Sequence, residues 1–448
     1  MCASESRIIA ELTAVIERLQ GENASLRAEV EGLREHIGGL EAKLGGGSSL
    51  GRVKPDFVKP KRSKPAGGKP RRQRAQGYAR RREEPTRRVV HVVDRCRDCG
   101  CALVGGSVKR RRQVLHVPIV PVEVIEHEYV ERRCPLCGKR NVAKVELAGE
   151  VVGKSRLSVQ TMALIASLRE VGRLPVRAIR WLLASLHGLH LSVGEIVAVL
   201  QRVAGKGKGL MAQLRQQLLG SVSVHADETG WRENGENGYL WSFSDKRVRY
   251  FHYRASRSSA VVGESFTGVL VSDFYAAYNI YEGPHQRCWV HLLGDVHELK
   301  EHHPGDESVA VWAQEMHTIY RRAKAYAAAN EQAPRAQRVA ARERFEEELL
   351  DLCRPYLGRE CPQRKLCERV DHFLPELFLF VELPQVASDN NAAERALRPQ
   401  VIARKISGGT RSPQGSQTKS TLATIFSTWM AQGLNPFTNC LQLLCNSL

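Results

Sequence analysis

The sequence predicts a mixed α/β chain in which a sheet-bearing domain is interrupted by helices and preceded by several smaller modules. Three observations predict this. Short β-type runs, three in succession and then alternating with helical segments, fill residues 221–291. A heptad pattern with almost no exceptions occupies residues 8–44. Between these regions lie a Pro/Gly/Lys/Arg-rich stretch and two Cys-x-x-Cys pairs.

In the heptad segment Leu12, Leu19, Leu26, Leu33 and Leu40 hold one core position. Ile9, Ile16, Asn23, Val30, Ile37 and Leu44 hold the other. Mostly β-branched residues at a with Leu at d favour a parallel two-stranded coiled coil, and Asn23 is placed to select register. Glu22 with Arg27, Glu29 with Arg34 and His36 with Glu41 are compatible g-to-e′ pairs. Exposed ion pairs add little energy, so they act as orientation signals for a homodimer. The simpler alternative is a lone amphipathic helix packed on the rest of the chain.

Residues 45–88 follow as a basic linker. After Gly45-Gly46-Gly47-Ser48-Ser49 the chain has almost no large apolar side chains and cannot bury a core. Its runs, such as Lys59-Pro60-Lys61-Arg62 and Arg80-Arg81-Arg82, suit phosphates rather than base edges. The whole chain carries a formal charge of +19, which points to a polyanionic partner and is read as double-stranded DNA. No apolar run is long enough to span a bilayer and no signal peptide opens the chain. The expected location is the cytoplasm, in association with the nucleoid.

Residues 89–150 form the expected zinc-ribbon domain. Cys96 and Cys99 make one knuckle and Cys134 and Cys137 the other, the second in the form Cys-Pro-Leu-Cys-Gly. Four thiolates can surround a structural Zn2+ with no position left open. Twelve cysteines in 448 residues are too sparse for a disulfide scaffold, so clustered ones read as ligands and scattered ones as core. Cys101 is a spare thiol that could compete as a ligand.

Residues 151–220 read as a helical, DNA-binding-like domain. Pro175–Leu186, a turn at 187–191 and Ser192 capping Val193–Val203 resemble a helix-turn-helix. The second helix would be the reader, yet Glu195, Gln201 and Arg202 are its only long polar residues. A packing module accounts for the same pattern.

From residue 221 the expected order is strands at 222–227, 239–244 and 248–253, a helix near 257–266, and a strand at 268–273. A helix and a strand at 286–290 complete the first part, 221–291. That is the order of a ribonuclease-H-like fold. Residues 292–383 are too long for a connection and too helical for a loop, so they read as a helical insertion. Residues 384–448 supply the last part of the core and the C-terminal helices.

Three acids stand out in this frame. Asp227 ends the run Ser221–Asp227, Asp273 ends Gly268–Asp273, and Glu394 lies at a helix start within Asp389-Asn390-Asn391-Ala392-Ala393-Glu394. Carboxylates on two strand ends and one helix can converge on a pair of Mg2+ ions, which clamp the attacking and leaving oxygens of an in-line displacement. Glu228 should point to the opposite face of its strand. Asp389 is expected as the helix N-cap, and Glu394 could instead pair with Arg398 four residues on. His291 could support the metal site or fill the core.

The sequences His225-Ala226-Asp227-Glu228-Thr229, Cys288-Trp289-Val290-His291 and Asp389–Pro399 resemble the insertion-sequence-66 family of DDE transposases. Arg404-Lys405 and Gly433-Leu434-Asn435-Pro436-Phe437 fit as well, and the resemblance covers essentially the whole chain. It implies a triad of Asp227, Asp273 and Glu394 holding two Mg2+, with Mn2+ as a substitute. Cleavage of transposon ends and strand transfer to target DNA are implied too, with accessory transposition proteins as further partners. Phe274 stands where the family often has Gly. Arg395, Arg398, Arg404, Lys405 and Arg411 are the expected phosphate holders near the triad.

Other readings of the same residues are a DNA-binding regulator without strand transfer and a structure-specific, Mg-dependent nuclease. A zipper-mediated scaffold explains the fewest features.

Overall fold

The computed structural model describes residues 83–143, 147, 149–257 and 266–445, together with Gly21, Ala24, Ser25, Ala28 and Gly32. The leucine positions of the expected coiled coil, most of the basic linker and most of the helix expected near 257–266 lie outside the described residues. The chain divides into two compact units, Met1–Val114 and Leu115–Leu448.

In the first unit residues 83–114 form no helix or strand, and a bridge between Arg95 and Ala102 closes the turn that carries Cys96 and Cys99. The second unit is a mixed α/β body. It opens with a small hairpin, β1 (Glu131–Arg133) and β2 (Arg140–Val142). Four helices follow: α1 (Val159–Glu170), α2 (Val176–His187), α3 (Val193–Lys206) and α4 (Lys208–Leu219). Ser158 caps α1, and Ser192 with Glu195 forms a full capping box on α3, which fixes that helix start from local sequence alone. Gly188, at φ +67, supplies the left-handed residue that ends α2.

A five-stranded sheet comes next: β3 (Ser223–Glu233), β4 (Glu236–Ser244), β5 (Arg249–Arg254), β6 (Val269–Ser272) and β7 (His285–Arg287). Its spatial order is β5-β4-β3-β6-β7, antiparallel among the first three strands and parallel from β3 through β7. β3 runs six residues past the end expected at Asp227, because Asn234 and Gly235, both at positive φ, make the two-residue turn that extends the β3–β4 ladder to Glu233 and Glu236. The last strand also differs: it ends at Arg287, and Trp289 already belongs to a helix.

That helix, α5 (Trp289–His302), opens the inserted region, followed by α6 (Glu307–Ala329), α7 (Arg335–Cys353), α8 (Arg364–Phe373) and the short α9 (Leu379–Glu382). Their apolar faces form one core with Val269 and Val271 of β6, centred on Trp289, Trp312, Phe345 and Phe378. Buried Glu382 joins its ends by accepting from Arg335 at 2.7 Å and Arg342 at 2.8 Å.

The chain closes with α10 (Asn391–Ser407), α11 (Pro413–Ala431) and α12 (Pro436–Cys445). α11 lies along β5, its Ser420, Thr424 and Thr428 hydroxyls accepting from the Tyr253, Phe251 and Arg249 N–H groups of that edge strand. Its other side shares a core with α1, α2 and α3 through Leu422, Ile425, Phe426 and Trp429. A buried ion pair, Lys419 with Glu170 at 2.7 Å, crosses that junction. Among the described residues no helix is long and apolar enough to cross a membrane.

Candidate active site

The parallel pairing of β3 with β6 sets Ser223 against Val269, Val224 against Leu270 and His225 against Val271. Carried two residues further, the same register sets Asp227 level with Asp273. Both lie two residues beyond the last pair; Asp227 is still within β3 and shares a face with His225, while Asp273 is the first residue past β6. Local hydrogen bonds fix each carboxylate. Asp227 Oδ1 accepts from the Glu228 N–H at 2.9 Å, and Asp273 Oδ1 accepts from the Tyr275 N–H at 2.9 Å as the chain turns away from β6.

Glu394 sits in the first turn of α10, and Asn390 brings that turn to the sheet. The Asn390 side chain is buried; its Nδ2 donates to the Ala226 carbonyl at 2.6 Å, and its Oδ1 faces His225 Nδ1 at 3.2 Å. The Asn390 N–H donates to Cys288 Sγ at 3.1 Å, so the start of α5 is held at the same point. Burial pushes the Cys288 thiol up to about 11, keeping it a neutral acceptor. Asn390, not Asp389, occupies the cap position, and its side chain makes no capping bond because β3 has taken it. Asp389 Oδ1 accepts instead from the Asn391 N–H at 3.2 Å. Glu394 has no Arg398 pair; its neighbour is His291, whose Nε2 stands 3.6 Å from Oε1.

Burial, and then the charges of Glu228, Asp273 and Glu394, push the Asp227 carboxyl up to about 7. The flanking Glu228 is handled separately. Its nearly inaccessible carboxylate accepts from Arg257 Nε at 3.0 Å and from the Tyr278 hydroxyl at 2.6 Å. Arg257 in turn lies 3.7 Å over the Tyr275 ring. Among the described residues no Lys or Arg forms an ion pair with Asp227 or Asp273. Three hard carboxylate donors whose charges oppose one another suit Mg2+ or Mn2+, since a dication relieves that repulsion. As arranged, no three His, Cys, Asp or Glu side chains among the described residues close into a metal-sized group. The acids are adjacent and would need to draw together around an ion.

Of the basic residues expected nearby, Arg395, Arg398, Lys405 and Arg411 are exposed. Arg398 is one helical turn beyond Glu394 and on its side of α10. Arg404 is used internally: its Nη1 donates to Thr229 Oγ1 at 3.1 Å and to the Gly230 carbonyl, pinning the far end of α10 to β3.

The cysteine knuckles repeat one another turn for turn, each within its own unit. The Cys96 N–H donates to the Cys101 carbonyl at 2.9 Å and the Gly100 N–H to the Cys96 carbonyl at 3.0 Å. The Cys134 N–H donates to the Lys139 carbonyl at 2.8 Å and the Gly138 N–H to the Cys134 carbonyl at 2.9 Å. Gly100 at φ +73 and Gly138 at φ +70 take the conformation that closes each loop. Backbone N–H groups of Cys137 and Leu136 lower the Cys134 thiol, and backbone and thiol bonds from Cys101 lower Cys99. Cys101 Sγ is 3.2 Å from Cys99 Sγ.

Two further features, one side chain and one turn, complete the frame of the site. Asn390 carried a signal, since it is an amide just ahead of an acid-bearing helix, but its partner lies 164 residues away. The Asn234-Gly235 turn is legible from residue type alone.

Residues 154–418, well over half of the chain, match the family model described as Transposase IS66 family. A search of curated proteins finds no match.

Proposed function

The chain belongs to the IS66 transposase family, and from that premise we propose that it cuts transposon ends and joins them to target DNA at a two-metal DDE site. The observation that carries this reading is that Asp227 and Asp273 each lie two residues past the last β3–β6 pair, His225 with Val271, with the Glu394 helix pinned to β3 by Asn390. The strand order β5-β4-β3-β6-β7 supports a ribonuclease-H-like core.

Asp227, Asp273 and Glu394 would hold two Mg2+, or Mn2+ in their place. When bound, the ions would supply Lewis acidity at the scissile phosphate and charge stabilisation for the entering and departing oxygens. The chain's own residues prepare that chemistry. Asp227, whose carboxyl is raised by burial and by the neighbouring carboxylates, would be the ligand common to both ions. Arg257 and Tyr278 occupy the Glu228 carboxylate. Exposed Arg395 and Arg398 are placed to take phosphate oxygens beside Glu394.

In the cutting step water attacks phosphorus, the bond to the 3′ oxygen breaks, and the 3′ oxygen leaves as a hydroxyl. In the joining step that hydroxyl loses its proton and attacks a target phosphodiester in line; the target's P–O3′ bond breaks, and its 3′ oxygen leaves as a hydroxyl. No covalent enzyme intermediate is required. Zn2+ at the cysteine knuckles, a homodimer through residues 8–44 and accessory proteins complete the proposal. The test is Glu394→Gln: cleavage should vanish with DNA binding retained, and loss of both would undermine the assignment.

A further inference from the structure

Helix α2 carries a surface that neither the packing nor the triad uses. Its buried side is Ile179 and Leu183, which enter the core shared with α1, α3 and α11. Its outer side presents Arg177, Arg180 and Trp181, at the i, i+3 and i+4 positions of one helical face. Trp181 is 69% exposed, whereas the other five tryptophans of the chain are each 6% exposed or less. A large exposed aromatic flanked by two guanidinium groups is a surface in want of a partner.

The charge around it says which partner. Between Lys154 and Leu219 the sequence has ten Lys and Arg against two acids, Glu170 and Glu195. Both acids are occupied: Glu170 is buried against Lys419, and Glu195 closes the α3 capping box. Among the described residues no carboxylate pairs with Arg177 or Arg180. A polyanion complements this face; an acidic peptide lacks the regular phosphate spacing that two guanidinium groups one turn apart can follow.

The face is also fixed relative to the carboxylates. Arg169, at the end of α1, donates to Ser407 Oγ at 2.9 Å at the end of α10, and through the same Nη1 to the Leu174 carbonyl at 3.0 Å just ahead of α2. The Lys419–Glu170 pair holds the same corner to α11. Nucleic acid seated on α2 would therefore sit at a set distance from Glu394 on α10.

We infer that α2, through Arg177, Arg180 and Trp181, is a duplex-DNA contact helix, the arginines on phosphates and the indole against the sugar edge of the groove. This inference rests on the transposase reading and assigns contact to the first helix of the helix-turn-helix-like pair, not to the second. The second helix, α3, exposes only Arg202 as a basic residue of its central turns. Contacts of this kind position DNA without reading sequence.

Because Trp181 is the exposed tryptophan, acrylamide quenching of the intact protein's fluorescence reports on this face, with Trp181→Phe defining its share. Mixed-sequence duplex DNA should shield the quenchable emission. Arg177→Glu with Arg180→Glu should weaken binding alike for all sequences and lower the slope of log affinity against log salt by about 2. Its melting should be unchanged. Tight DNA binding with Trp181 as quenchable as before would overturn the inference. Shielding that follows protein concentration without DNA would also overturn it, assigning the face to a second copy. The two readings separate cleanly. If wild type joins ends while Trp181 stays open, the α2 assignment alone fails; if DNA shields Trp181 but no cleavage occurs with Mn2+, the catalytic reading fails and α2 stands.

Discussion

The side-chain amide of Asn390 donates to the backbone carbonyl of Ala226 at 2.6 Å, joining the start of the Glu394 helix to the strand that carries Asp227. Asp227 directly follows that carbonyl on β3, and one turn of α10 separates Asn390 from Glu394. The bond thus sets the distance between two of the three acids. Asn390→Ala should leave the Ala226 carbonyl unpaired in a buried setting and destabilise the fold by about 1–3 kcal/mol. Strand transfer should fall by far more than that stability loss explains. Urea unfolding alongside a joining assay at a temperature where the variant stays folded checks this; full activity would remove Asn390 from the site's architecture.

The buried Lys419–Glu170 pair makes a different prediction, about the junction between the N-terminal helices and α11. Lys419→Met leaves the Glu170 carboxylate buried without its cation and should cost about 3–5 kcal/mol. Replacing both, Lys419→Met with Glu170→Leu, should restore most of the loss, because the desolvation penalty goes with the charges. Denaturant midpoints of the two variants decide it; a double variant as unstable as the single one would contradict the ion-pair account.

Acid should weaken the fold through His285. Burial, and then the Arg287 guanidinium, hold this imidazole well below its ordinary range, so it is neutral where it meets Ser272 Oγ at 2.8 Å and Glu376 at 3.3 Å. In the unfolded chain the ring titrates near its ordinary value of about 6.5. As the pH falls through that value the unfolded state takes up a proton that the folded state refuses, so stability present above it is lost below it. Asp227, raised to about 7, works in the opposite direction over this range, so the contribution is read as a difference: from neutral to mildly acid pH, His285→Gln should lose less urea stability than wild type. An equal slope in wild type and variant would rule His285 out as the cause.

The matched knuckle turns predict bound Zn2+. Elemental analysis of purified protein should find Zn2+ in a fixed ratio to chain, lost in Cys134→Ser and in Cys96→Ser. Zinc content unchanged by either substitution would place any metal elsewhere.

How much was legible depended on the range of the interaction. Asp227 and Asp273 were legible as candidates because strand ends are read from local alternation, and both lie two residues past the last β3–β6 pair. The α3 capping box, Ser192 with Glu195, was equally local. The full length of β3 was readable from Asn234-Gly235, a missed turn signal rather than an absent one. Asn390 and Arg404 are another matter. Each looks like an ordinary polar residue on α10, and only the fold shows one reaching Ala226 and the other Thr229 and Gly230. Exposure likewise depends on packing: nothing in the spacing of α2 separates Trp181 from the buried Ile179 and Leu183.

The most direct test of the central claim is a joining reaction in Mn2+ between pre-cleaved DNA ends, taken from the flanks of the gene, and a supercoiled target plasmid. Wild type runs beside Glu394→Gln and Asp227→Asn. Joined products from wild type alone, with all three proteins binding the ends equally, are the predicted result. Products from Glu394→Gln at the wild-type level would contradict the assignment of Glu394 to the reacting centre.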